Sequence, residues 1–402
     1  MLRKLDEVRV MRDPVHEYIH IEYKIIWDCL NAREFQRLKR IHQLGTTYQV
    51  YHTAEHSRFS HSLGVYEIVR RMCNEIYHVD SILTEEDKVI VMLAGLLHDV
   101  GHGPFSHIFE SITNVSHEDI TQDIILGDTE LNQIIESYEE GLAKKIASVL
   151  NHTHPKAVLS ALISSQLDAD RMDYLLRDAY FTGTSYGHYD LERVLRTLKL
   201  SLTKVLIKES GIHTVEDYIM ARYHMYWQVY YHPVSRSMEA ILIGFFKRLK
   251  DLYKTDPKIL QAYPMFKMVL VSPFTLEDQY ILDESACFYG FQCATKDDDE
   301  ILADLAKRIL DRHLFDYCDY VSNRQVRDIQ KTVQKSYDTN YYFYQDTQSN
   351  RPYSPYDEEH DLIWILMADG SVHELSDVST IVNAVVKAKY KVEKKVFYPK
   401  GV

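Results

Sequence analysis

The sequence predicts a mainly α fold, with a large helical core and a smaller C-terminal α+β region. Apolar residues recur at three- and four-residue intervals through most of the first 320 positions, the period of helices with one buried face. Beyond about Asn323 the pattern gives way to short runs rich in Tyr, Ile, Trp and Val bounded by turn residues, as in strands.

Taken in order, residues 6–23 alternate loosely (Val8, Val10, then Tyr18, Ile19, Ile21, Tyr23) around Asp13-Pro14, which predicts short strands or a hairpin. Ile26, Leu30, Phe35, Leu38 and Ile41 predict a helix over 25–41, and Leu63, Val65, Ile68, Val69, Met72 and Ile76 another over 61–76. A third, over 85–98, has Thr84 placed as its N-cap. Residues 116–187 continue helical with a break at Pro155, and a further helix over 215–250 is interrupted near Pro233. Residues 256–320 read as helical, with the acidic run Asp297-Asp298-Asp299-Glu300 as a solvated turn. In the tail, 341–344, 363–367 and 372–375 read as strands, with Asp369-Gly370 as a hairpin turn and 345–359 as a loop. These segments divide the chain into an N-terminal hairpin and helix (1–50), a helical domain (51–320) and the α+β tail (321–402).

The bulk composition narrows the function. At 402 residues, 46% hydrophobic and 26% charged, the chain is an ordinary globular protein of one large domain or two to three smaller ones. A formal net charge of −13 argues against a nucleic-acid partner, so any anionic substrate must be met by locally gathered Lys and Arg. Cys29, Cys73, Cys287, Cys293 and Cys318 are odd in number and lack a CxxC, as expected of reduced thiols in the cytoplasm. The first residues lack an apolar signal core, and no run approaches the ~20 apolar residues of a membrane helix, so no membrane partner is expected.

The most informative stretch is Leu93-Ala94-Gly95-Leu96-Leu97-His98-Asp99-Val100-Gly101-His102-Gly103-Pro104-Phe105-Ser106-His107. If the helix persists through Gly101, His98 and His102 share a face. Adjacent imidazole and carboxylate suit Fe, Mn, Zn or Ni. Gly101, Gly103 and Pro104 then break the helix, so His107 is expected to return towards the site from a turn. Upstream, His61 opens a helix with Arg58 one turn before it. Downstream, Asp170, Tyr174 and Asp178 lie on one helix face, opposite Met172, Leu175, Leu176 and Ala179. Arg222, Tyr226 and Tyr230 would likewise offer a cation and two rings along one face.

Several of these motifs together resemble the HD-domain metal-dependent phosphohydrolases. They are Gln43-Leu44-Gly45, Arg58-Phe59-x-His61-Ser62-Leu63-Gly64, His98 to His107, His117-Glu118 and the Asp168-Ala169-Asp170-Arg171-Met172-Asp173-Tyr174 helix. More narrowly they resemble the deoxynucleoside triphosphate triphosphohydrolase branch, in a bacterial-type form without a sterile-alpha-motif domain. The resemblance spans about residues 6–320 and implies an HD-domain helical core.

The resemblance implies metal ligands His61, His98, Asp99 and Asp170, with Asp168 as the alternative fourth ligand, and Mg accompanying the substrate triphosphate. It implies a catalytic His107 with Glu110 as its acidic partner, where the family usually has Asp, and places His102 and His117 at the α-phosphate. Arg58, Arg171 and Arg222 match phosphate-binding positions. Gln43, Tyr174 and Asp178 resemble residues that close around a deoxyribose and its 3′-OH, with Tyr226 and Tyr230 beside them. Asn31, Gln36 and Lys39 fall where tetrameric relatives read an activator nucleotide. Asn31 stands in place of an acidic residue and Lys39 in place of an arginine, so allosteric activation is expected with altered base preference or not at all.

The expected function is metal-dependent hydrolysis of dNTPs to deoxynucleoside and inorganic triphosphate, in dNTP pool control, by a homo-oligomer (tetramer or dimer). The alternatives are another HD-type phosphohydrolase acting on nucleoside monophosphates or signalling nucleotides, and a nucleotide-sensing or nucleic-acid-binding protein with little catalysis.

Overall fold

The computed structural model describes residues 3–350, 362–388 and 391–402. The expected N-terminal hairpin is present, with Lys4–Asp13 antiparallel to Glu17–Tyr23 and Asp13 opposite Glu17 at the turn. Ile19, Ile21 and Tyr23 bury one face of the second strand while the first strand stays largely exposed. The helix expected over 25–41 is broken. Lys24–Asn31 and Arg33–Arg37 are separated by Ala32, whose extended backbone (ψ 146°) stops the first helix, and Leu38–Arg40 is a 3-10 turn.

The core is built around Glu85–Leu97, which packs against Arg58–Glu75, Leu142–Leu150 and Ala157–Ile163. Every residue of this helix from Asp87 to Leu97 is buried, which explains a run that is apolar all round. Each Leu, Ile or Val so buried contributes about 1.5–3 kcal/mol. Thr84 and Asp87 close its N-terminus as a reciprocal capping box. The helix ends at Leu97 and does not persist through Gly101. A Cβ on Gly101 would lie 2.2 Å from the His117 carbonyl oxygen, so this glycine admits the neighbouring chain.

The segment expected as one helix over 215–250 divides into Ile212–Met225, a π turn at Tyr226–Tyr230, and Pro233–Thr255 with Pro233 in its first turn. Within 256–320 the helices are short, Asp316–Asp319 is a strand, and Asp299 of the acidic run caps Glu300–Leu310 while binding Arg248.

The tail departs furthest from expectation. Asp338 caps a helical turn at Thr339–Tyr342, so the strand begins only at Tyr344 and runs to Asn350, through residues expected as loop. It pairs with Lys391–Tyr398, which gives a polar segment its backbone partners, an outcome set by tertiary context rather than by local pattern. Residues 351–359 of the expected loop lie outside the described residues. Trp364–Leu366 and Val372–Glu374 form the expected hairpin about Gly370 (φ 87°). Trp364–Leu366 adds in parallel to Val205–Lys208, so this four-stranded sheet crosses the expected boundary at residue 320. Among the described residues no helix is long and apolar enough to cross a membrane.

Candidate functional site

Three helix ends meet at the centre of the molecule. His61 lies in the first turn of Arg58–Glu75, His98 and Asp99 directly follow Glu85–Leu97, and Asp170 lies in the first turn of Ala169–Thr182. Ligand atoms of His61, His98 and Asp99 all fall within 4.8 Å of one another. His61 Nε2 is 3.0 Å from Asp170 Oδ1 and 3.9 Å from Asp99 Oδ2. His98 Nε2 is 3.3 Å from Asp99 Oδ1 and 3.7 Å from Asp170 Oδ1.

Each imidazole is oriented by its other nitrogen. His61 Nδ1 donates to Asp173 Oδ2 (2.8 Å), and His98 Nδ1 donates to the Gly95 carbonyl (2.9 Å), so both Nε2 atoms face the shared centre. His98 Nε2 is buried with no hydrogen-bond partner among the described residues, an omission that a cation would repair. Burial disfavours a charged His61, yet Asp170 and Asp173 push its pKa up to about 10. Burial also opposes charge on Asp170, but the hydrogen bond with His61 (3.0 Å) and the nearby His98 ring hold its carboxyl below the usual range. A site with two imidazole nitrogens, ionised carboxylates and a field that draws positive charge fits a divalent transition ion.

Asp168 is elsewhere. It is fully buried as the N-cap of Ala169–Thr182, accepting from Arg171 N (2.7 Å) and Ser165 N (2.6 Å) and pairing with the Arg171 guanidinium. The structure therefore brings Asp170, and not Asp168, against His61 and His98.

The turn after the helix supplies the flanking groups. His102 Nε2 lies 3.3 Å from Asp99 Oδ1, and its ring stacks on His117 with centroids 3.7 Å apart. Burial and the charge of Arg58 hold the His102 pKa well below the usual imidazole range, so the ring is neutral. Glu110 accepts from the His117 ring and from its backbone N–H (3.0 Å). His107 opens the helix His107–Thr113, and its side chain lies outside the described residues. Arg58 binds Asp99 Oδ2 and donates to Ser106 Oγ (2.8 Å). Phe105 (φ 59°) and Ser106 (φ 53°) take left-handed backbone, at a cost of order 1 kcal/mol each, in the turn that delivers this hydroxyl.

On the other side an aromatic wall runs from Arg222 to His61. Arg222 donates to Gln166 Oε1 (2.7 Å) and lies 5.9 Å from the Tyr226 ring. Tyr226 meets Tyr230 edge-on at 5.1 Å, Tyr230 meets Tyr174 at 6.1 Å, and Tyr174 lies 6.5 Å from His61. Asp178 accepts from His56 Nε2 and from the Tyr230 hydroxyl, both at 2.8 Å. Gln43 is tied by its backbone to His56 (2.9 Å), and its buried Oε1 has no partner among the described residues. Asn31, Gln36 and Lys39 sit apart from this group. Asn31 and Gln36 bond the carbonyls of Trp27 and Leu30 (2.7 Å each), and Lys39 lies 4.6 Å from the Phe59 ring.

Sequence reasoning missed the shell behind the ligands: Asp173, Arg177, Asp13, His16, Ser106, His56 and Gln166. The Asp173–Arg177 pair at i, i+4 was visible in the charged helix, but His16 reaches Asp173 across 157 residues and leaves no local signal.

Residues 58–178 match the HD domain family, and residues 189–272 match the HD associated region. The chain is similar to the uncharacterized protein YwfO of Bacillus subtilis, 46% identical over 405 residues that cover 99% of this chain and 93% of that one. It is 30% identical over 271 residues to the deoxynucleoside triphosphate triphosphohydrolase SAMHD1 homolog of Dictyostelium discoideum. That match covers 62% of this chain and 51% of the relative, so the chain accounts for about half of its length. A solved phosphohydrolase from Bacteroides thetaiotaomicron superposes over 98% of this chain and 100% of its own, with a TM-score of 0.87 and 26% identity.

Proposed function

The chain belongs to the HD-domain family, with an HD associated region following the domain, and on that premise we propose that it is a metal-dependent hydrolase splitting dNTPs into deoxynucleoside and inorganic triphosphate. One observation carries the reading. The cluster of His61, His98, Asp99 and Asp170, which draws positive charge, is flanked by the guanidinium of Arg58 on Asp99 and by the Tyr174–Tyr230–Asp178 wall. The activity for which the Dictyostelium relative is named supports the same substrate class.

His61, His98, Asp99 and Asp170 would hold a divalent ion, which would supply Lewis-acid charge and make a nearby water more acidic. Arg58, Arg171 and Arg222 offset the charge of the triphosphate, and their planar forks match phosphate oxygens. His102, whose pKa burial and Arg58 hold low, contacts an α-phosphate oxygen and adds little to the local cation density. As water attacks the α-phosphorus, the bond to O5′ breaks and the leaving alkoxide takes a proton, a task assigned to His107 with Glu110 as its acidic partner. Asp178 accepts from the 3′-OH with Gln43 beside it, while Tyr174 closes the space that a 2′-OH would need. Mg on the triphosphate, a homo-oligomer and a cytoplasmic setting belong to the same proposal, with nucleotide activation near 31–39 either of altered base preference or absent.

The test compares wild type with a His98→Ala, Asp99→Ala double variant on each dNTP and its ribonucleotide. The reading expects turnover to fall on the order of 10³-fold or more in the variant, and wild type to prefer the deoxynucleotides. Turnover that survives the double substitution, or a ribonucleotide preference, contradicts it.

A further inference from the structure

We infer that His16, carried on the turn of the N-terminal hairpin, is a positioning residue of the metal centre that acts through Asp173 to hold His61. The inference rests on the reading of His61 as a ligand.

The hairpin turn is itself fixed in place. One oxygen of Asp13 accepts from the backbone N–H groups of Val15 (2.9 Å) and His16 (3.0 Å), and the other accepts from Arg177 (2.9 Å). From that turn His16 Nε2 reaches Asp173 Oδ1 at 2.6 Å, with side chains 2% and 0% exposed. Asp173 Oδ2 accepts from His61 Nδ1 (2.8 Å), and Arg177 binds both oxygens through Nε (2.8 Å) and a terminal nitrogen (2.9 Å). The hairpin turn, the Arg58–Glu75 helix and the Ala169–Thr182 helix thus converge on a single carboxylate. Arg177 binds that carboxylate from the same helix and is itself held by Asp13 of the hairpin. His16 adds a direct tie from the hairpin to Oδ1, and so sets where Oδ2 stands against the His61 ring.

A group that orients a ligating imidazole in this way tunes metal affinity without touching the ion, and its loss costs 10- to 100-fold in affinity in comparable sites. The coupling is reciprocal: whatever holds His61 in place also holds the hairpin down. The hairpin is therefore part of the centre, although its strands lie on the surface.

The experiment uses His16→Ala, His16→Asn and His16→Gln in the full chain, with His98→Ala as the ligand control. Gln places a donor near the Nε2 position, and Asn does not reach it. Mn and Zn affinities are measured by chelator competition, metal per chain by elemental analysis, and metal-free stability by thermal unfolding. The expected result is affinity lowered roughly tenfold or more in the Ala and Asn variants, recovery in the Gln variant, and a metal-free melting temperature lowered alike in Ala and Asn, with affinities read well below the transition, where every variant is folded. Wild-type affinity in His16→Ala, or a Gln variant as weak as Ala, overturns the role of His16. Should His98→Ala keep its metal, the ligand reading fails first and the inference falls with it. Amide exchange in residues 4–23 supplies a second readout: metal slows it in wild type and not in His16→Ala, and equal slowing in both overturns the coupling.

Discussion

A Cβ placed on Gly64 would lie 1.8 Å from Asp173 Oδ1 and 2.4 Å from the Arg177 guanidinium. Gly64 follows His61 by one helical turn and opens the space through which the buried ion pair reaches the imidazole. On propensity alone Gly64→Ala would stabilise a helix by about 1 kcal/mol. Here it displaces a buried carboxylate from its partners, a loss of about 3–5 kcal/mol in comparable cases. The second effect wins, so thermal unfolding is expected to show a lower melting temperature and elemental analysis a reduced metal content. A variant more stable than wild type contradicts this account.

The two carboxylates of the Asp168-Ala169-Asp170 motif are expected to fail differently. Asp170→Asn should lose metal while metal-free stability shifts by less than about 1 kcal/mol. Asp168→Asn can keep the cap, but it removes the charge paired with Arg171 and turns an amide N–H₂ where a carboxylate oxygen accepts, so it should lower stability and still bind metal at saturation. Paired denaturant melts and metal titrations check this, and the reverse pattern would exchange the roles.

Arg222 belongs to the substrate side of the wall. Arg222→Ala is expected to raise KM for dNTPs by roughly tenfold or more with kcat changed far less, as when binding is lost equally from ground and transition states. Steady-state rates give both constants, and a kcat collapse at unchanged KM speaks against a phosphate-binding role.

Away from the site, burial and the neighbouring Asp346, with Arg236 opposing, push the Glu239 carboxyl from its ordinary 4.5 up to about 7. Arg236 is already engaged by Asp346 (2.7 Å) and Glu393 (2.9 Å). Because the folded pKa is raised, the stability from this group is fully present below 4.5 and is lost as pH rises through 7. Glu239→Gln, neutral throughout, should therefore stabilise the protein by about 1–3 kcal/mol at pH 8 and hardly at all at pH 4.5. Urea melts at the two pH values measure the difference, and an equal effect at both contradicts it.

What the sequence made legible follows from how local each signal is. The Glu85–Leu97 helix and its Thr84 cap could be read because period and cap lie within a few residues of one another. His61, His98, Asp99 and Asp170 could be picked out by motif, and the Asp168 alternative needed coordinates because both carboxylates lie in the same helical start. Tyr344–Asn350 could not be read as a strand: its sequence is polar and its structure comes from pairing with Lys391–Tyr398. The break at Ala32, the turn that replaces a helix after Leu97, and the reach of His16 to Asp173 are likewise tertiary facts.

The most direct test of the central claim is the identity of the phosphorus product. Metal-loaded protein is incubated with each dNTP, and the products are resolved by phosphorus NMR and ion chromatography. The account predicts intact inorganic triphosphate and deoxynucleoside in equal amounts. Release of pyrophosphate with deoxynucleoside monophosphate, or of orthophosphate with the diphosphate, would contradict it.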